Sequence, residues 1–131
     1  MAGEIRNDLN GLRVQLPGNP AIYLIDNGRK RHIPSPPVYN QLFSTWAGVI
    51  QDIDVNDIEL GEAIPNTAIL FRCSNSPAVF LLDGNSPHQI KRHIASPAVM
   101  DRYSFDWNKI HVFNVNVDDL SWPNGPQITN P

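Results

Sequence analysis

Residues 30–38, KRHIPSPPV, recur as KRHIASPAV at 91–99 with seven of nine positions identical. An internal copy of this kind constrains architecture before any compositional argument, because both copies must satisfy the same local structure. The match extends in both directions. PAIYLID at 20–26 returns as PAVFLLD at 77–83, and Trp46 corresponds to Trp107. V-N-D-I at 55–58 matches V-D-D-L at 117–120, and Pro65-Asn66 matches Pro123-Asn124. Upstream, LRVQLPGN at 12–19 aligns with ILFRCSNS at 69–76 by apolar pattern. A unit of about 57–61 residues thus fills nearly the whole chain. The divisions expected are an N-terminal segment (1–11), repeat 1 (12–67), repeat 2 (68–125) and a tail (126–131), together one compact domain.

Each unit reads in the same order. Leu12–Leu16 and Ala68–Cys73 alternate as strands do, and Ala21–Ile25 and Ala78–Leu82 are apolar runs suited to strands covered on both faces. Asp26-Asn27-Gly28-Arg29 is a two-residue hairpin signal of type I′, whereas Asp83–Gln89 is four residues longer and predicts a wider loop. The return strands are Arg29–Ile33 and Ile90–Ile94. Ser35-Pro36 and Ser96-Pro97 then place an N-cap before a proline at the first helical position, opening helices to about Phe43 and Tyr103. Extended segments at Val49–Ile53 and Ile110–Val115 precede short helical turns at Asn56–Leu60 and Asp118–Ser121, capped by Asp54 and Asn116.

A unit of this size buries little surface alone, so two units are expected to join their apolar faces. The expected fold class is α+β: two tandem pseudo-twofold repeats, each a small antiparallel sheet (a hairpin plus an edge strand) with one or two short helices. Pro126-Gln127-Ile128 resembles the first strand of a truncated third unit. It would either close on the first repeat or join two copies as a homo-oligomer.

The pattern apolar-Y/F-L-I-D/E-x-G-x-K-R-x-I-P-S-P-x-V followed by a tryptophan resembles tandem repeats of bacterial secreted and surface-associated proteins. It rests on Tyr23, Leu24, Asp26, Lys30, Arg31, Ile33, Ser35 and Pro36 with their second-copy partners. The resemblance implies a non-catalytic extracellular module, often found beside cell-wall or carbohydrate-active domains, and favours a secreted or cell-surface location. The opening MAGEIRNDLNG lacks the basic-then-apolar pattern of a signal peptide, which leaves the compartment open.

Composition narrows the function classes. A net charge of −3 argues against a nucleic-acid surface, which needs clustered cations. One cysteine, Cys73, excludes an intramolecular disulfide, and no apolar run approaches the roughly 20 residues of a membrane span. The four histidines show no metal-ligand spacing, no nucleophile motif is present, and no cofactor is implied, so an enzyme is not expected.

The remaining chemistry is that of binding. Strand alternation puts Arg31 on the face of Ile33, where it should pair with Asp26 across the hairpin, as Arg92 should with Asp83. Lys30 and His32, with Lys91 and His93, form a secondary cationic cluster suited to an anionic group. Trp46 and Trp107, repeated once per unit, are expected to plug the core between helix and sheet. Trp122 has no first-copy counterpart and is expected to be the exposed aromatic. Because packing demands are common to both copies, ligand contacts are expected where the copies differ: Trp122, Asn85, His88 and Gln89, with Arg29 beside the tight turn. The function expected is a lectin-like carbohydrate-binding module with weak multivalent sites for a glycan or cell-surface polysaccharide. The alternative is a protein-interaction or assembly repeat.

Overall fold

The computed structural model describes residues 3–51, 54–85 and 87–130. It is α+β. Strands β1 (Arg13–Gln15), β2 (Ile22–Asp26) and β3 (Arg29–His32) form one antiparallel sheet in that order. Strands β4 (Ile69–Cys73), β5 (Phe80–Asp83), β6 (Ile90–His93) and β7 (His111–Phe113) form a second, in the order β6-β5-β4-β7. This sheet is mixed, since β7 runs parallel to β4. Helix α1 (Pro36–Leu42) follows β3 and helix α2 (Pro97–Arg102) follows β6. Among the described residues no helix is long and apolar enough to cross a membrane.

Registers recur between the halves. Val14 faces Tyr23 and Leu24 faces Arg31 in the first sheet; Phe71 faces Phe80 and Leu81 faces Arg92 in the second. The parallel pairing Phe71–His111 has a one-bridge counterpart at Val14–Ile50, beyond which residues 52 and 53 of the expected extended segment lie outside the described residues. The β2–β3 connection takes the expected mirror-image turn, with Asn27 at φ 51° and Gly28 at φ 77°. Gly28 also lies where a Cβ would meet the Ile5 side chain at 2.4 Å, so the position excludes larger residues twice over.

The apolar runs are covered on both faces. Leu24 and Leu81 enter a core shared by the two halves, with Tyr39, Leu42, Leu70, Met100, Tyr103 and Phe105. On the other faces, Ile25 packs with Val14, Val55 and Ile58, while Leu82 packs with Phe71 and Phe80. A short antiparallel contact ties the halves where the helices end: Ser44 N–H donates to Ser104 O, and Asp106 N–H to Leu42 O, both at 2.9 Å. Burial pushes the Tyr103 hydroxyl well above its usual pKa, reinforced by the Asp26 charge.

At the centre stand four buried charges. Arg31 meets Asp26 as expected, at 2.9 Å, but its bidentate partner is Asp83 of the other half, at 2.7 and 2.8 Å. Arg92 returns the arrangement, donating through both terminal nitrogens to Asp26 and through one, at 3.2 Å, to Asp83. The pairing within each hairpin is therefore only part of the arrangement. The reason is geometric: alternation sends all four side chains off the same face of their hairpins, and the two faces meet. The Nε–H groups are used as well, Arg31 Nε donating to Glu62 O at 2.8 Å and Arg92 Nε to Pro126 O at 2.9 Å. Burial would raise the Asp83 carboxyl, but the Arg31 hydrogen bonds and charge outweigh it and hold the group below its ordinary value.

The C-terminal stretch follows the path of residues 59–64. Lys30 O accepts from Gly61 N–H and His32 O from Ile64 N–H; Lys91 O accepts from Gly125 N–H and His93 O from Ile128 N–H, all at 2.9 Å. Ile128 is buried in the shared core beside Ile94. The stretch expected to open a third unit instead closes the second half on its own β6. The same bonds equate Gly61 with Gly125, so Pro65-Asn66 and Pro123-Asn124 are not equivalent in space. Ser121-Trp122 form a two-residue insertion after Leu120.

The caps differ. Ser96 Oγ accepts from Val99 N–H at 3.4 Å, whereas the Ser35 hydroxyl makes no capping bond. Asn116 caps its 3-10 turn (Val117–Asp119), while Asp54 does not cap Val55–Asp57.

Removing one partner of a buried charge pair strands the other, which costs about 3–5 kcal/mol. Arg92→Met is expected to lose stability in that range by urea denaturation. Acid should act through the same group: Asp83 titrates lower in the folded than in the unfolded chain, so its contribution is present above about pH 4 and is lost as pH falls through the folded value. Thermal melts from pH 6 to pH 2 should show this loss, and Asp83→Asn should be less stable at pH 6 with a flatter acid limb. Ser96→Ala should cost about 1 kcal/mol and Ser35→Ala clearly less.

Candidate functional site

Two open clefts lie at corresponding places in the halves. The first, about 350 Å³, is bounded by Pro20, Ala21, His32, Ser35, Tyr39 and Trp46. The second, about 420 Å³, is bounded by Pro77, Ala78, His93, Ser96, Met100 and Trp107. The two sets agree position for position, Tyr39 against Met100 excepted. Each is assembled by the strand entering the hairpin, the end of the returning strand, the Ser-Pro that opens the helix, and the segment after that helix.

The tryptophans are not core plugs. Trp46 is 49% exposed and Trp107 48% exposed. The plug is instead supplied from the helices by Tyr39 and Met100, each 1% exposed, which line the same clefts as the indoles. Trp46 stacks on Tyr39 with centroids 3.8 Å apart and planes 17° apart, and its Nε1–H donates to Asn40 Oδ1 at 3.0 Å. Tyr39 is itself held by a hydroxyl donated to Thr45 O at 2.5 Å and by the Arg13 guanidinium. Trp107 opens a 3-10 turn (Trp107–Lys109) fixed by Asp106 Oδ1, which accepts from Asn108 N–H at 2.8 Å. Their neighbours Thr45, Ala47, Asn108 and Lys109 are exposed, and the polar Thr45, Asn108 and Lys109 are the sequence signal for an outward indole.

Trp122 is corrected in the opposite sense. It is half-buried against Phe71 and Phe113, at centroid distances of 5.4 and 6.2 Å, and its carbonyl accepts from Lys91 Nζ at 2.5 Å. The insertion that carries it serves to fill the aromatic cluster behind β4.

The other expected contacts do not converge on Trp122. Asn85 and His88 are exposed on the loop after β5, where His88 N–H donates to Asn85 O at 2.7 Å; Ser86 between them lies outside the described residues. Gln89 Nε2 donates to Thr67 Oγ1 at 3.2 Å. None of these borders a cleft described here. Arg29 is exposed at the rim of a shallow depression of about 200 Å³ over the four central charges. In the cationic cluster, Lys30 Nζ is tied to Val55 O at 2.9 Å and Lys91 to Trp122 O, so the ammonium groups face carbonyl oxygens. His32 and His93 instead line the clefts; Gln127 Nε2 lies 3.0 Å from His93 Nδ1.

Each cleft therefore offers an apolar wall of proline, alanine and indole beside an imidazole and a hydroxyl. The Ser35 hydroxyl, free of capping, can give both its proton and its lone pairs to a ligand. Among the described residues no group of three His, Cys, Asp or Glu side chains converges to hold a metal ion, and no hydrogen bond joins Ser35 to His32 or Ser96 to His93. Compared with family models, curated proteins and solved structures, the chain gives no match.

Placement of the three indoles predicts their mutational costs. Trp122→Ala should destabilise by about 2 kcal/mol, less than a full core truncation, while Trp107→Ala should stay within about 1 kcal/mol. Urea denaturation gives both values. Acrylamide should quench Trp46 and Trp107 more strongly than Trp122.

Proposed function

We propose that the chain is a non-catalytic, carbohydrate-binding module built as a tandem pseudo-twofold duplication, with one shallow site per half at Trp46 and Trp107. The observation that carries this reading is the position-for-position agreement of the two clefts, each with a half-exposed indole. An indole face offers apolar area to the C–H face of a sugar ring, and the adjacent serine and histidine supply the few directed hydrogen bonds that orient hydroxyls. Core demands alone account for repeated buried residues, but not for two large aromatic groups left half in water, where burial would be favourable. Sites this open are weak, with Kd on the order of millimolar, or about −4 kcal/mol each, and two of them on one body gain by avidity on a polymeric or clustered glycan. The loop residues Asn85, His88 and Gln89, and Arg29, have no part in this site.

A protein-interaction role is the second reading, favoured by Leu60 and Val112, which are 63% and 51% exposed. Binding to a densely printed glycan array separates the two. Saturable binding of a glycan supports the first, with calorimetric stoichiometry falling from two to one in Trp46→Ala or Trp107→Ala and binding lost in the double variant. Silence on every glycan together with tight self-association supports the second.

A further inference from the structure

The clefts agree, but their surroundings do not. Behind Trp107 a further cavity of about 710 Å³ is lined by Arg72, Asn75, Ile110 and Val112, and it shares Ser76, Pro77, Val79 and Trp107 with the second cleft. In the second half two cavities thus adjoin along a shared wall that includes Trp107. In the first half the places of Arg72 and Val112 are taken by Gln15 and Gln51, by the shared register Phe71–His111 and Val14–Ile50. Gln51 Nε2 donates to Gln15 Oε1 at 2.7 Å, so these two side chains bridge the space that is open in the second half.

We infer that the second groove is an extended site for an acidic oligosaccharide, with Arg72 receiving a uronate carboxylate while Trp107 stacks on the neighbouring ring. The inference rests on the carbohydrate reading and adds a ligand class to one of its two sites. Arg31, Arg92 and Arg13 have their guanidinium groups engaged by carboxylates, hydroxyls and carbonyls. Arg72 is half-buried, its bond to the neighbouring Cys73 O is long at 3.5 Å, and among the described residues it forms no ion pair. A guanidinium held in a groove with one long carbonyl contact and no carboxylate partner matches a carboxylate in shape and charge. Asn75 is positioned to help: its Oδ1 is occupied by Val117 N–H at 3.0 Å, which turns the amide nitrogen into the group left to donate. Because the groove is open to water, the charge preference is modest and screened by salt.

The test compares uronate trisaccharides (glucuronate, galacturonate and mannuronate series) with their neutral methyl esters by calorimetry on the full chain. The Trp46→Ala variant isolates the second site. At low salt an acid form should bind about five-fold more tightly than its ester, a difference of about 1 kcal/mol. Arg72→Gln, which installs the residue of the first half, should erase that difference while leaving ester affinity within about two-fold. Raising salt to about 0.5 M should erase it in the unaltered protein as well. Equal affinity for acid and ester, or a preference that survives in Arg72→Gln, overturns the inference. If neutral glycans bind on the array but no uronate binds in either form, the acidic groove falls and the carbohydrate reading stands. If acidic peptides bind through Arg72 and no saccharide binds anywhere, both fall.

Discussion

The reciprocal bonding of Arg31 and Arg92 with Asp26 and Asp83 is the constraint on which the rest of the molecule depends. Four charges taken out of water cost several kcal/mol each, and that cost is offset only when geometry is good and every lone pair and proton finds a partner. The Arg–Asp distances are short, and no buried side-chain nitrogen or oxygen among the described residues is left without a hydrogen bond. A single half would expose an aspartate and an arginine on an otherwise apolar face. Two halves in one relative orientation cancel both. The shared core supplies most of the attraction, being non-directional, whereas the charges select one arrangement among the many that would bury the same leucines.

Much of this architecture is legible in the chain. Asn27-Gly28 announces the hairpin, Ser-Pro twice announces a helix start, and the recurrence of KRHI predicts matching strands. Local signals suffice there because the determinants lie within a few residues of one another. Apart from the missing caps at Ser35 and Asp54, the departures in chain path and pairing are non-local. Alternation puts Arg31 beside Asp26, but nothing in one hairpin reveals that Asp83 will arrive from the other side. The parallel partner of β7 is chosen by packing across many residues, so an extended segment was predictable and its neighbour was not. Ile128 has too few residues around it for a pattern, and only its bond to His93 shows that it closes the second half.

The tryptophans show a different limit. Occurrence once per copy is a reason to expect packing, since the repeated pairs Leu24 and Leu81, Arg31 and Arg92, Ile33 and Ile94, and Val38 and Val99 are all buried. It fails where both copies keep the same exposed surface. Buried Tyr39 and Met100 already supply the helix side of each cleft, and the exposed neighbours of Trp46 and Trp107 mark a segment leaving the core. Trp122 erred the other way, because an insertion can fill a void as readily as it can project into solvent. Asymmetry does matter, but beside the clefts rather than far from them: the Gln15–Gln51 bridge shuts in one half what Arg72 and Val112 leave open in the other.

Trp46 and Trp107 are the proposed binding faces, whereas Trp122 packs in the aromatic cluster with Phe71 and Phe113. Three indole N–H groups give three signals in a proton–nitrogen correlation spectrum of labelled protein, assignable with single Trp→Phe variants. During titration with the best-bound glycan of the array, the account predicts saturable shifts of the Trp46 and Trp107 signals while the Trp122 signal stays in place. A titration that saturates while both of those signals remain still, or in which Trp122 alone moves, would contradict it.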